Sequence, residues 1–203
     1  MACKSPPCAL LVGHSFVQRT VEFNERNQNS GLYSRTFGVE NLCHVETIRI
    51  GGRTVDKMIK FDLQTFRGTA PNVVIMDIRS NHLCDKEVDP DMVALSILAL
   101  VELLLKDLLL RCLVLCQVLP RKNQPFLGYN KRVWHLNGLL REAVKGIHGV
   151  KFWLHCGPFN PSGNIFTRGG IHLNDEGHQA LYRSYGGAIL FTLNCKGDRH
   201  FQS

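Results

Sequence analysis

The 203-residue sequence has no C-x-x-C pair, no uninterrupted apolar run long enough to cross a bilayer, no internal repeat and no low-complexity tract. Each absence removes a class. The eight cysteines (Cys3, Cys8, Cys43, Cys84, Cys112, Cys116, Cys156 and Cys195) are scattered, several of them inside apolar runs. That suits buried free thiols in a reducing compartment better than a disulfide framework or a zinc site. His155-Cys156 and His172 share no recurring ligand spacing, so neither a metal nor another cofactor is expected. The longest apolar segment, Met92 to Leu110, is interrupted by Ser96, Glu102, Lys106 and Asp107 and reads as a buried helix rather than a membrane span. The N-terminus lacks the charged head and long apolar body of a signal peptide, and Cys8–Val12 is too short to be one. A soluble, cytoplasmic protein with no membrane partner is expected. The net charge is +7, yet Arg121-Lys122 and Lys131-Arg132 are the only adjacent basic pairs. Dispersed charge describes a solvated basic surface; nucleic-acid binding is the lesser reading, with no localised patch to carry it.

What is present is ordinary in bulk and ordered in pattern. A 44% hydrophobic and 20% charged composition supports one folded unit, read as a single domain over 1–203 with a short N-terminal tail over 1–7. Strand and helix signals alternate. Strands are expected at Cys8–Gly13, Cys43–Ile50, Asn72–Ile78, Cys112–Leu119 and Val150–Leu154. Helices are expected from Phe16 to about Asn27, from an N-cap at Thr54 to about Phe66, over Pro90–Leu110, from Asn130 to about Lys145, and from Asp175 to about Leu193. Short apolar strands alternating with helices describe an α/β protein. The expected form is a three-layer α/β/α sandwich with a five-stranded parallel sheet, flavodoxin-like, in the order 2-1-3-4-5.

In such a sheet the loops at the carboxyl ends of the strands converge on one rim, where active sites are built. Ser15 follows the first strand, Gly51-Gly52 the second, Asn81 the third, and His172 precedes the last helix. A serine hydroxyl needs a base to become nucleophilic, and histidine is the usual one. A glycine N–H and an asparagine amide are suitable donors for the oxyanion that follows. Taken singly, each residue has a plainer role: Ser15 a helix cap, Asn81 a turn residue, the glycines a strand terminator, His172 one of nine histidines. Cys84 and Cys156 lie near the same rim and read as buried structural cysteines rather than reactive thiols.

Taken in order, the four positions resemble the signature blocks of the SGNH hydrolases, also called GDSL esterases and lipases. Gly13-His14-Ser15 stands where that family has Gly-Asp-Ser, Gly52-Arg53-Thr54 matches the second block, Arg79-Ser80-Asn81-His82 the third, and Gly169-Gly170-Ile171-His172 the Asp-x-x-His of the fourth. The resemblance implies Ser15 as nucleophile and His172 as base, with an oxyanion hole of Ser15 N–H, Gly52 N–H and Asn81. The run Leu119-Pro120-Arg121…Tyr129-Asn130…Val133…Leu136-Asn137…Leu140 is similar to SGNH-like domains of some animal retrotransposons and their host-derived copies.

The departures are as informative as the matches. Gly169 stands at the place of the triad aspartate, and loss of that partner can cost about 10⁴ in kcat. Arg79 replaces a glycine beside the oxyanion hole, and His82 and His14 replace acids. Asp175, three residues beyond His172, reads as the N-cap of the last helix rather than a substitute acid. The expected function is therefore a weak serine esterase using a Ser-His dyad on a small or acyl ester. The alternative is a catalytically degenerate SGNH-like binding module, retroelement-derived, with a partner in place of a substrate.

Overall fold

The computed structural model describes residues 6–49, 52, 54–78 and 81–195. Gly51, Arg53, Arg79 and Ser80 of the expected motifs, and most of the tail over 1–7, lie outside the described residues. Five strands form one parallel sheet: β1 (Cys8–Gly13), β2 (His44–Arg49), β3 (Val73–Asp77), β4 (Cys112–Cys116) and β5 (Val150–Trp153), in the order β2-β1-β3-β4-β5. This is the expected order. The interior strands β1, β3 and β4 are apolar and buried on both faces, because helices cover both. The edge strand β2 alternates half-buried and exposed residues instead, which is the pattern its sequence carries.

Among the described residues six α-helices flank the sheet: α1 (Ser15–Asn27), α2 (Val55–Phe61), α3 (Leu63–Thr69), α4 (Pro90–Asp107), α5 (Tyr129–Ala143) and α6 (Asp175–Asn194). The single helix expected from Thr54 to about Phe66 is two, broken at Asp62. Thr54 caps the first of them, accepting from Lys57 N at 3.4 Å. Side chains alternate across the sheet. Leu10, Val12, Val74, Met76, Leu113 and Leu115 pack with α4 and α5 on one face. Ala9, Leu11, Val73, Ile75, Cys112, Val114 and Cys116 pack with α1 and α6 on the other. The α4 segment is less enclosed than expected. Val93, Ile97, Leu100, Val101 and Leu104 are buried, but Met92 and Leu95 face solvent. Among the described residues no helix is long and apolar enough to cross a membrane.

Candidate functional site

Parallel register brings three of the four sequence motifs to one edge. Gly13, the last residue of β1, pairs with Arg49 at the end of β2 and with Asp77 at the end of β3. Ser15, Gly52 and Asn81 each follow one of these ends within a few residues, so they leave three adjacent strands on the same side. Gly13 is required there for space. A methyl group on it would come within 2.7 Å of Asp77 O and 2.4 Å of a Val17 methyl. Only glycine lets α1 leave β1 this closely. Ser15 is half-buried and is the first residue of α1; the cap position belongs to His14, whose side chain makes no cap hydrogen bond. Ser15 is therefore not the N-cap. Gly52 is exposed with φ 72°, a left-handed turn that favours glycine. Asn81 opens a short 3₁₀ turn, its carbonyl accepting from Cys84 N at 3.2 Å.

The His172 turn is held by a different set of contacts. Its segment forms an antiparallel bridge, Phe166 to Leu173, and its carbonyl accepts from Thr167 N at 2.8 Å. The turn is pinned to the loop after β4: Gly170 O accepts from Lys122 N at 2.9 Å and Asn123 N at 3.1 Å, and Gly169 O accepts from Asn123 Nδ2 at 3.1 Å. Gly170 has φ 63° and lies so close to Asn123 that a Cβ would come within 2.7 Å of its backbone nitrogen. The loop after β4 is itself locked by α5. Asn137 accepts from Val118 N at 2.9 Å and donates to Val118 O at 2.8 Å. One heptad earlier, Asn130 does the same to Arg121, at 3.0 and 2.8 Å. The Leu119-Pro120-Arg121…Asn130…Asn137 pattern is thus a strand-exit lock. Two asparagines each replace a ladder partner for a backbone that has left the sheet.

No family model and no curated protein sequence matches the chain. Solved structures do match its backbone. A proposed acylhydrolase of Bacteroides fragilis superposes with a TM-score of 0.68 at 19% identity, over 95% of this chain and 93% of its own. A GDSL-like lipase of Bacteroides thetaiotaomicron gives 0.67 at 16% identity, over 91% and 88%. An acetylxylan esterase of Geobacillus stearothermophilus, solved as a catalytic serine-to-alanine mutant, gives 0.67 at 14% identity, over 98% and 99%. The chain has the SGNH hydrolase fold.

Several expectations change on this SGNH framework. Asp175 is not the cap of α6; Asn174 is, accepting from Gly177 N at 3.0 Å, while Asp175 is exposed and faces Arg26 Nη2 at 3.9 Å. A charged first-turn residue favours the helix dipole without needing the cap position. Cys84 and Cys156 are exposed rather than buried, because both sit in loops just past strand ends. No disulfide joins the described cysteines, and Cys43, Cys112 and Cys116 are buried. Burial, with Cys195 beside it, pushes the Cys112 thiol up to about 12. Among the described residues no group of three or more His, Cys, Asp or Glu side chains could hold a metal ion.

The structure also holds a buried polar cluster beneath the rim that motif reading missed. Asp77 ends β3 and accepts from the Tyr185 hydroxyl of α6. His155 Nε2 lies 4.0 Å from Asp77 Oδ2, and its Nδ1 is 2.9 Å from Ser184 Oγ, which also accepts from Trp153 Nε1 at 3.0 Å. Burial holds the His155 imidazole down to about 3, so it is neutral at ordinary pH. Burial first, and Asp77 second, push the Tyr185 hydroxyl well up. His178, bonded through Nδ1 to Thr20 Oγ1 at 3.0 Å, is held down to about 4 by burial, helped by Arg19, Arg26 and His172 and opposed by Asp175. One sequence signal for the cluster existed: Asp77 is the sole charge in an otherwise apolar strand. Its partners lie more than 70 residues away and carried none.

Proposed function

We propose that this chain is a serine ester hydrolase of SGNH type, working with a Ser15–His172 dyad on a small or acyl ester. The observation that supports it most is the placement of Ser15. It opens the helix that leaves the strand next to the sheet's centre, with the exits of β2 and β3, and hence Gly52 and Asn81, on either side. In this reading Ser15 Oγ attacks the ester carbonyl carbon as the His172 imidazole takes its proton. The oxyanion is held by the N–H groups of Ser15 and Gly52 and the side-chain amide of Asn81. The alcohol leaves with the proton from His172, and water then hydrolyses the acyl-serine by the same route. The acetylxylan esterase with this fold suggests an acetyl group as the acyl part. Gly169 supplies no carboxylate, so His172 lacks the usual orienting acid at that spacing, and turnover is weak.

That same glycine favours a second reading, in which the site has lost its chemistry and binds a partner. The two part on one experiment: labelling with a fluorophosphonate probe, wild type against Ser15→Ala. Labelling that disappears in the variant supports the esterase. No labelling of a folded wild type overturns it in favour of the binding module.

A further inference from the structure

The sheet has two edges, and β5 forms the one beyond β4. In the parallel ladder between them, Leu113 N donates to Gly149 O and Gln117 N to Trp153 O, both at 2.8 Å. Peptide groups alternate in direction along a strand, so Lys151 and Trp153 face β4 and Phe152 faces away from the sheet. Val150 N turns back to Ile147 O at 3.2 Å. Val150 O, the N–H and C=O of Phe152 and the Leu154 N–H then line the outer edge, and among the described residues none of them has a hydrogen-bond partner. Proteins commonly guard such an edge with charge. Around β5 that charge is mostly of one sign. A cleft of about 340 Å³ beside the strand is lined by Arg141, Lys145 and Lys151 together with Val144, Val150 and Phe152. One carboxylate, Glu142, bonds Lys145 at 2.6 Å, so positive charge is in excess. On the opposite face of the sheet Trp153 packs toward α6, its ring centroid 5.7 Å from that of the exposed Phe191. The other edge differs. On β2, His44 meets Glu46 at 3.3 Å and Arg49 meets Glu25 at 3.5 Å, so charges of both signs are answered within the chain.

We propose that the β5 edge takes an extended segment of another protein in which acidic side chains alternate with apolar ones. The segment's backbone pairs with the open peptide groups around Phe152, as in strand addition. Its side chains then point alternately to the two faces of the sheet, acidic ones to the cleft of Arg141 and Lys145, apolar ones to the Trp153–Phe191 pair. Charge disfavours a second copy of this chain, because two-fold pairing of β5 with β5 brings two basic clefts together. A nucleic acid would answer the charge but leave the open peptide groups unpaired. The surface does not depend on the esterase reading.

The probe is a fluorescein-labelled synthetic peptide of about eight residues alternating Glu and Val, followed by anisotropy. Saturable binding is expected, weakened at least about tenfold in the Arg141→Glu, Lys151→Glu double variant and weakened by added salt. Both side chains are exposed, so the variant should melt as wild type does. The backbone contribution is tested on the peptide, where no folding question arises. Methylating every second amide nitrogen blocks one edge of the peptide, and of the two peptides made this way at least one should lose binding. Undiminished binding of both, or no saturable binding of the parent peptide, overturns the proposal. Tighter binding of a single-stranded oligouridylate that is lost in the same double variant assigns the surface to nucleic acid and also overturns it. A dimer seen by sedimentation and dissolved by the peptide would make the occupant a second copy instead.

Discussion

At the exits of β2, β1 and β3 the chain presents small or polar residues to an open rim: exposed Gly52, half-buried Ser15, half-buried Asn81. At the exits of β4 and β5 it buries its polar groups in pairs, Val118 and Arg121 with two asparagines and His155 between Ser184 and Asp77. The first half holds the candidate chemistry, the second the means of placing it. The His172 turn belongs to the second half by its bonds and to the first by its proposed role. In the proposed esterase reading, a glycine stands at 169 where the triad acid would be, while the backbone bonds that hold the His172 turn are complete. The contrast predicts that damage to the buried half will register as lost stability, and changes to the open half as changed reactivity.

Acid should strain the buried half most. His155 and His178 are depressed, to about 3 and about 4, so between pH 6.5 and those values the unfolded chain binds protons that the folded one refuses. Stability is therefore greatest above pH 6.5 and falls as the pH drops, by about 1.4 kcal/mol per unit for each histidine. By pH 4.5 the two together remove about 5 kcal/mol, comparable to the whole stability of many domains. Urea melts at pH 7 and pH 4.5 measure this, and the His155→Gln variant should show roughly half the histidine-linked slope. An unchanged slope would mean that burial of His155 is not what drives the acid response.

The strand-exit lock comes next. Asn137→Ala leaves both the N–H and the carbonyl of Val118 without their partner in a buried setting, at a cost of about 3 kcal/mol, or about 10 °C in Tm for a chain of this size. Asn130→Ala should cost about the same and should also slow fluorophosphonate labelling of Ser15, since Arg121 precedes the residues that grip Gly170. Labelling that stays at the wild-type rate in a folded Asn130 variant would break the link drawn between the two halves.

The same contrast explains what could be read from residues alone. The sheet order and all five strands were legible, because apolar runs of strand length alternate with helical periodicity. The broken helix at Asp62 was not, since a 3.6-residue pattern runs on through a one-residue break. The candidate residues of the open half came from motifs, because Gly13-His14-Ser15 and Gly169-Gly170-Ile171-His172 place their candidate groups within three or four consecutive residues. The buried half was not. Asp77, His155 and Tyr185 meet only through strand order, and Asn130 and Asn137 reveal their purpose only against a backbone that has left β4. Short-range signals name candidate groups; long-range pairings name what holds their loops.

Gly169→Asp tests the open half directly. The glycine is exposed, and a Cβ added there meets nothing nearer than Thr167 Oγ1 at 4.0 Å, so the side chain fits without displacing a neighbour. Its carbonyl bond to Asn123 is made by the backbone and survives the change. Tm should move by less than about 0.5 kcal/mol equivalent, as for an exposed substitution. A carboxylate at the triad spacing would orient the His172 imidazole and stabilise its protonated form, and the full effect of such a partner is about 10⁴ in kcat. In a site that evolved without one, a gain of roughly tenfold, about 1.4 kcal/mol of barrier, is the modest expectation. Turnover of an acetyl ester by Gly169→Asp and by wild type, each with its Ser15→Ala control, measures it. Flat turnover with an unchanged Tm would show that the missing carboxylate does not limit the proposed dyad, and would move attention from His172 to the proposed oxyanion donors Gly52 and Asn81.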